Sequence, residues 1–254
     1  MKIAVAGGTG VVGTYVVSAT LAAGHEPVVL SRGRGVDVIT GQGLDRALEG
    51  VEVIIDVANS GTINRQRATE FFTQSTRHLH EAGARHHVQR SVVLSIVGVD
   101  RISGNGYYQA KLAHERAALH GPLPTTVVRS TQFHEFGAQM AARTHIGPVA
   151  LVPVMKVQPV AARSVGEILV EVAGEPTTES ILEVAGPRPE SLVAMAKATM
   201  SRRGERLVCL PLLVPGAAGR AMRDGSQCPT AEARVEGPDF ASWLASADAL
   251  VAAS

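Results

Sequence analysis

The stretch Gly7-Gly8-Thr9-Gly10-Val11-Val12-Gly13 decides how this chain is read, because the apolar run Ile3-Ala4-Val5-Ala6 leads into it and a helical pattern, Thr14 to Ala23, follows. A strand that turns sharply into a helix needs a residue without Cβ at the turn, and Gly7 supplies one. Gly10 lets a pyrophosphate approach the backbone, Gly13 lets helix and strand pack closely, and the free N–H groups of the first helical turn face the anion. Placed directly after a strand, the motif predicts a dinucleotide site contacted by Gly7, Thr9, Gly10, Val11, Val12 and Gly13.

The next strand, Pro27 to Leu30, carries a second signal at its end. An NAD-preferring site would place a carboxylate there for the ribose hydroxyls, whereas this chain has Ser31 and Arg32, with Arg34 just beyond. A guanidinium holds a 2′-phosphate through charge-assisted, bidentate hydrogen bonds and a serine hydroxyl adds a donor, so the expected cofactor is NADP(H). The competing reading leaves Arg32 and Arg34 as solvated loop charges.

Composition agrees with an enzyme-sized unit. With 254 residues, 45% of them hydrophobic and few aromatic, the chain can bury a large core of Ala, Val and Leu without disulfides. A net charge of +1 points to neither a nucleic-acid nor an anionic-membrane partner. Cys209 and Cys228 read as free thiols without metal spacing, and His78, His80, His86 and His87 read as solvated surface rather than metal ligands. No export signal is visible, and the longest apolar stretches, Pro148 to Val160 and Leu207 to Ala218, are short and interrupted by proline. The expected compartment is the cytoplasm, the expected partner a small-molecule substrate, and the expected state a monomer or homodimer.

Strand-like and helix-like segments alternate along the chain, which predicts an α/β fold with a doubly wound parallel sheet. Val36 to Ile39 reads as a short strand and Leu44 to Glu49 as a brief helix. Val51 to Val57 is the most continuously apolar strand candidate up to that point, broken by Asn59-Ser60-Gly61 at the end where ligands of such sheets sit. A helix from about Asn64 to Ala82, stopped by Gly83, leads to the strand Ser91 to Ser95. Tyr107 to His120 is helical, Thr125 to Arg129 a strand, Ser164 to Val172 a helix, Ser180 to Ala185 a strand and Pro189 to Arg203 an amphipathic helix.

The chemistry concentrates between Ser95 and Lys111. Tyr107 and Lys111 are four apart on a predicted helix, so they share a face. An ammonium beside a phenol stabilises the phenolate and makes the tyrosine usable as an acid or base near neutrality. Lysine is scarce here, with only Lys2, Lys156 and Lys197 besides Lys111, which makes its place at this spacing informative.

Gly7-x-x-Gly10-x-x-Gly13, Ser95 and Tyr107-x-x-x-Lys111 together resemble the short-chain dehydrogenase/reductase superfamily. Val127 to Phe136, Val157 to Ala162, Ala185-Gly186-Pro187 and Phe240-x-x-Trp243-Leu244 are similar to its atypical, NmrA-like branch. The resemblance implies a Rossmann core with a small C-terminal lobe capping the substrate. It implies Tyr107 as the acid that protonates the substrate oxygen, Lys111 as the residue on the nicotinamide ribose, and Ser95 as a second donor to that oxygen. It also sets Ala58, Asn59, Ser60 and Arg129 beside the cofactor. The chain departs from the family at Ala58-Asn59-Ser60-Gly61 and at Ser130, where proline is usual.

Thr131 to Phe136 follows the strand that ends at Arg129, so Gln132, Phe133 and His134 are the candidate substrate contacts, with His134 a candidate second acid. Equally, Phe133 and Phe136 read as core and His134 as a helix cap or surface group. Residues 1–129 read as the NADP-binding core and 130–254 as the rest of that core plus substrate and lid segments, with the mostly apolar Leu210 to Val214 suiting a cover over a hydrophobic substrate, a dimer contact or plain core equally. The function this implies is NADP(H)-dependent reduction of a ketone in a small or medium organic substrate, such as a secondary metabolite. The alternatives are an NmrA-like redox sensor without turnover and a quinone or alkene reductase that does not need Tyr107.

Overall fold

The computed structural model describes residues 1–102, 104–175 and 179–250. Its first half alternates strand and helix: β1 (Lys2–Ala6), α1 (Val11–Ala22), β2 (Glu26–Leu30), α2 (Leu44–Ala47), β3 (Val53–Asp56), α3 (Arg65–Arg85), β4 (Arg90–Ile96), α4 (Gly106–Leu119) and β5 (Thr125–Ser130). The second half continues with α5 (Phe136–Thr144), β6 (His145–Ile146), β7 (Val149–Pro153), β8 (Lys156–Val157), α6 (Ala162–Gly174), β9 (Ile181–Ala185), β10 (Glu190–Ser191), α7 (Leu192–Arg202), β11 (Val208–Leu212), α8 (Gly216–Arg223), β12 (Arg234–Val235) and α9 (Phe240–Ala245).

Seven strands form one parallel sheet in the order β12-β9-β5-β4-β3-β1-β2. Strand order reverses between β1 and β3, and the glycine-rich turn sits at the carboxyl end of β1, the switch point where such sheets open a crevice. Side chains alternate between two covered faces. Ile3, Val5, Val53, Ile55 and Val92 pack with Val16, Val165 and Leu169 of α1 and α6. On the opposite face Ala4, Ala6 and Ile54 meet α2 and α3 through Leu44 and Leu79. Burial on both sides is what allows β3 to be apolar without alternation until Asp56.

A smaller lobe grows beyond the carboxyl ends of β5 and β9. There α5 and α7 pack together, Gly137 lying so close that a Cβ would come within 2.8 Å of the Ala196 nitrogen. Leu192, Met195, Val152, Phe240 and Trp243 fill its core. A three-stranded sheet, β11-β7-β6, and the antiparallel pair β8 and β10 complete it.

Four local expectations change. Val36 to Ile39 is not a strand: the Asp37 carboxylate accepts the Ile39 N–H at 2.8 Å and bends the chain into a turn, with left-handed Gly35 and Gly41 on either side. Gly83 does not stop α3, which runs on to Arg85; its missing Cβ instead lets the helix approach Leu123 and Ile54. His80 is buried rather than solvated, 2% exposed. Leu210 to Leu212 belong to β11, hydrogen-bonded in parallel to β7, and Leu210, Leu212 and Leu213 stay exposed, so of the three readings of Leu210 to Val214 plain core falls away.

Candidate active site

The turn after β1 is shaped by sterics. Gly7 has φ +78°, and a Cβ there would sit 2.8 Å from the Ala58 backbone, so only glycine lets the turn press against the loop after β3. A Cβ on Gly13 would fall 2.1 Å from the Gly7 carbonyl oxygen, so α1 and the turn touch backbone to backbone. Gly10 differs: its Cβ would meet only the Gly7 oxygen, at 3.4 Å, and its outer side is open. Thr9 and Gly10 are exposed, and no side chain caps α1. The N–H groups of Val11, Val12 and Gly13 are therefore available to a phosphate, aligned with the positive end of the helix.

Leu30 pairs in register with Ala6, which brings Ser31, Arg32 and Arg34 to the same end of the sheet. The three follow β2 in a single 3-10 turn closed by left-handed Gly35. Ser31 is half-buried; Arg32 and Arg34 are exposed, and their guanidinium groups have no hydrogen-bond or ionic partner among the described residues. The open turn, the uncapped helix and the two unpaired guanidinium groups fit a phosphorylated dinucleotide.

Tyr107 stands in the first turn of α4, where the Asn105 side chain caps the N–H groups of Tyr107 and Tyr108. Its hydroxyl donates to Asn59 Oδ1 at 2.6 Å, and its ring meets Phe72 edge-on at 6.1 Å. Burial pushes the phenol up to about 12, against the opposing pull of Arg143 and of the Asn59 hydrogen bond. Lys111 exerts no part of that pull. Its ammonium turns under the helix, donating to the Leu94 carbonyl at 2.7 Å, lying 3.0 Å from His114 Nδ1 and standing over the Phe72 ring at 4.5 Å. The shared face expected from the spacing is real, but Lys111 does not lower the Tyr107 pKa here, because the buried polar groups beneath α4 compete for the ammonium.

Those groups are Asp56 and His114, 2% and 0% exposed. Asp56 Oδ2 lies 3.2 Å from His114 Nε2, and Asp56 Oδ1 accepts the Ala58 N–H at 2.9 Å. Burial and the neighbouring ammonium push His114 down, so its ring is neutral; against burial, the His114 and Ala58 hydrogen bonds hold Asp56 ionised. Burial also brings Lys111 down to about 8, with Asp56 and Glu115 opposing. Neither Asp56 nor His114 stands out in the sequence, apart from an acid closing an otherwise apolar strand and a histidine one turn past Lys111.

Several expected contacts are made elsewhere. Arg129 does not face the cofactor turn: its Nε and Nη2 bind Glu115 at 2.9 and 2.7 Å and its Nη1 binds Asp100 at 2.7 Å. Ser95 is buried on the face covered by α3 and α4, opposite Arg129 in the sheet register; its hydroxyl has no partner among the described residues and does not bond to Tyr107. His134 is not a surface group. It is fully buried against Phe240 and Trp243, lies with Nε2 3.1 Å from the Pro238 carbonyl, and is driven down to about 4 by burial. A carbonyl can only accept, so Nε2 carries the proton and donates it. Phe133 packs into the α1 and α6 core and bridges to Val160. Gln132 donates to Gln227 at 3.3 Å, while its buried Oε1 has no partner among the described residues. Ser60 is spent on the Thr62 carbonyl, and Ala58 carries the backbone against which Gly7 packs.

No protein-family model and no curated protein sequence matches the chain. Solved structures do. A UDP-N-acetylglucosamine 4-epimerase from Bacillus cereus superposes with a TM-score of 0.69 at 17% identity, covering 96% of this chain and 94% of that one. A UDP-glucose 4-epimerase from Thermus thermophilus, in complex with NAD, gives 0.65 at 16% identity over 96% and 93%. A short-chain dehydrogenase/reductase superfamily protein from Agrobacterium tumefaciens, with bound NAD, gives 0.63 at 17% over 88% and 90%. The chain has a Rossmann-type fold. In a Rossmann-type sheet the carboxyl ends of β1, β2, β3 and β4 border one crevice, and Gly10, Arg32, Asn59 and Tyr107 all lie at or beyond those ends. No helix among the described residues is long and apolar enough to cross a membrane.

Proposed function

We propose that this protein is an NADP(H)-dependent oxidoreductase that reduces a ketone carbonyl of a small or medium organic substrate. The observation that carries the reading is the meeting, at one end of the sheet, of an open turn suited to an anion, two arginines with unpaired guanidinium groups and a half-buried phenol hydrogen-bonded to an exposed asparagine. Structures of this fold with NAD support a nicotinamide dinucleotide; Arg32 and Arg34 favour the 2′-phosphorylated form. Val11, Val12 and Gly13 would hold the pyrophosphate, Ser31, Arg32 and Arg34 the 2′-phosphate, and Lys111 the nicotinamide side. When bound, the dinucleotide supplies hydride. Tyr107 supplies the proton. Raised to about 12, the phenol is a weaker acid than an ordinary tyrosine but remains protonated at neutral pH and more acidic than the alcohol formed, so it can still donate to a developing alkoxide, and Asn59 would orient the hydroxyl.

One observation favours a second reading, in which hydride is transferred or the dinucleotide is sensed without Tyr107: Lys111 is tied to Leu94 and His114 rather than to the phenol. Fluorescence titration with NADPH and NADH on wild type and Arg32→Ala, followed by turnover of a carbonyl panel by wild type and Tyr107→Phe, decides between them. The proposal expects NADPH to bind more tightly, the preference to fall in Arg32→Ala, and carbonyl turnover to fall by roughly two to four orders of magnitude in Tyr107→Phe. Turnover that survives in Tyr107→Phe supports the second reading, and no dinucleotide binding ends both.

A further inference from the structure

A chain of buried groups behind the candidate site ties Tyr107 and Lys111 to one carboxylate. We propose that Asp56 and His114 are positioning residues for this site, Asp56 fixing the His114 tautomer so that its Nδ1 accepts from Lys111 and holds the ammonium against the Leu94 carbonyl. The inference rests on the reading of Lys111 and Tyr107 as the working pair of a dinucleotide-dependent site.

The geometry leaves few ways to arrange the protons. Lys111 is a donor only, so His114 Nδ1, at 3.0 Å, must accept. A neutral imidazole accepts at Nδ1 only when its proton is on Nε2, and Nε2 faces Asp56 Oδ2 at 3.2 Å. Phe72 stacks on the His114 ring at 4.8 Å and 15° and lies under the Lys111 ammonium, which locks both in place. The same carboxylate acts on the other side of the site. Asp56 Oδ1 accepts the Ala58 N–H, and the next residue, Asn59, takes the Tyr107 hydroxyl. One buried acid therefore sets the loop that orients the phenol and the ring that orients the ammonium.

The ionisable groups around Lys111 are Asp56 on β3, His114 and Glu115 on α4, and, behind them, His80 on α3, which faces Asp56 and His114. Glu115 is already bound in a bidentate pair by Arg129 of β5. Asp56 is thus the uncommitted negative charge that favours the Lys111 cation.

Asp56→Asn tests this, because a carboxamide can still accept from Ala58 while offering N–H to His114 Nε2. The ring then has to move its proton to Nδ1, against the ammonium. Nitrogen-15 NMR of the histidines, with His114→Asn for assignment, is expected to show the His114 tautomer switching in Asp56→Asn. Carbon-13 NMR of methylated lysines, assigned with Lys111→Arg, is expected to show the Lys111 midpoint falling by about one pH unit or more. Both readouts use the protein without dinucleotide, and a merely structural role for Asp56 would move neither. A folded Asp56→Asn protein with the tautomer and the midpoint unchanged overturns the proposal. Should Asp56→Asn fail to fold, His114→Asn, whose Oδ1 can replace the acceptor, is expected to keep the midpoint near wild type while His114→Leu lowers it; equal midpoints overturn the proposal. Wild type that binds neither NADPH nor NADH overturns the functional reading alone, and the NMR shifts then still support the role of Asp56 and His114.

Discussion

At the scale of single residues, Arg129 shows how a side chain placed in the right strand can serve a different purpose. Three of its nitrogens are committed to Glu115 and Asp100, and the two carboxylates outweigh burial in raising its pKa further, so the guanidinium is a buried structural cation. Its removal leaves Glu115, 2% exposed, as an unpaired buried charge. Arg129→Ala is expected to destabilise the fold by about 3–5 kcal/mol, read from urea unfolding, with any loss of dinucleotide affinity following only from unfolding. Equal stability in the variant and in wild type would return Arg129 to the cofactor site. Tyr107 is the opposite case: its single partner, Asn59, is exposed and easily replaced by a substrate oxygen. Asn59→Ala is expected to leave stability within about 0.5 kcal/mol and to lower carbonyl turnover by about tenfold or more, measured as kcat.

At the scale of elements, the β1 turn separates two roles of glycine that look alike in the motif. Gly13→Ala would drive a Cβ to 2.1 Å from the Gly7 oxygen, so α1 must shift from the turn, and a loss of about 1–3 kcal/mol or more in stability is expected from thermal or urea unfolding. Gly10→Ala meets only one atom, at 3.4 Å, and is expected to keep the fold while weakening dinucleotide binding by about tenfold or more in a fluorescence titration, because the new methyl stands where a phosphate would approach. Loss of stability in Gly10→Ala with affinity intact would invert that assignment. This division was legible in the sequence, since the order strand, glycines, helix leaves each glycine one steric task. The neighbouring Val36 to Ile39 misled for an equally physical reason. Its β-branched residues favour a strand, but the Asp37 side chain captures the Ile39 N–H, and glycines on both sides make a turn cheaper than a ladder.

At the scale of the whole molecule, the buried histidines make stability depend on pH. His134 has a folded pKa of about 4 against an ordinary value of 6.5, and burial moves His80 and His114 in the same direction. Between those two values the unfolded imidazole holds a proton that the folded one does not. Stability is therefore full above about 6.5 and is lost as pH falls towards 4, by roughly 3 kcal/mol for His134 alone. Urea unfolding from pH 7 to 4.5 is expected to show this decline, and His134→Gln to flatten it; an unchanged slope in the variant would place the titrating group elsewhere. The histidine connects the lobes in a simple way, since it leaves β5 and ends against Phe240 and Trp243 of α9.

The sequence by itself determined the alternating α/β order, the parallel sheet, the glycine turn after β1 and the presence of Tyr107 and Lys111 on one helix, because each follows from local periodicity, backbone sterics or spacing within a few residues. It also carried Ser31, Arg32 and Arg34 to the end of β2, since a strand ends where its apolar run ends. Only the tertiary structure decided where Lys111 points, because the Leu94 carbonyl it binds and the Asp56 carboxylate behind His114 come from strands 17 and 55 residues away in the chain. The same holds for Arg129 and His134. A polar side chain taken out of water goes to the nearest group that can satisfy it, and that distance is set by how the sheet and helices stack rather than by neighbours in the chain.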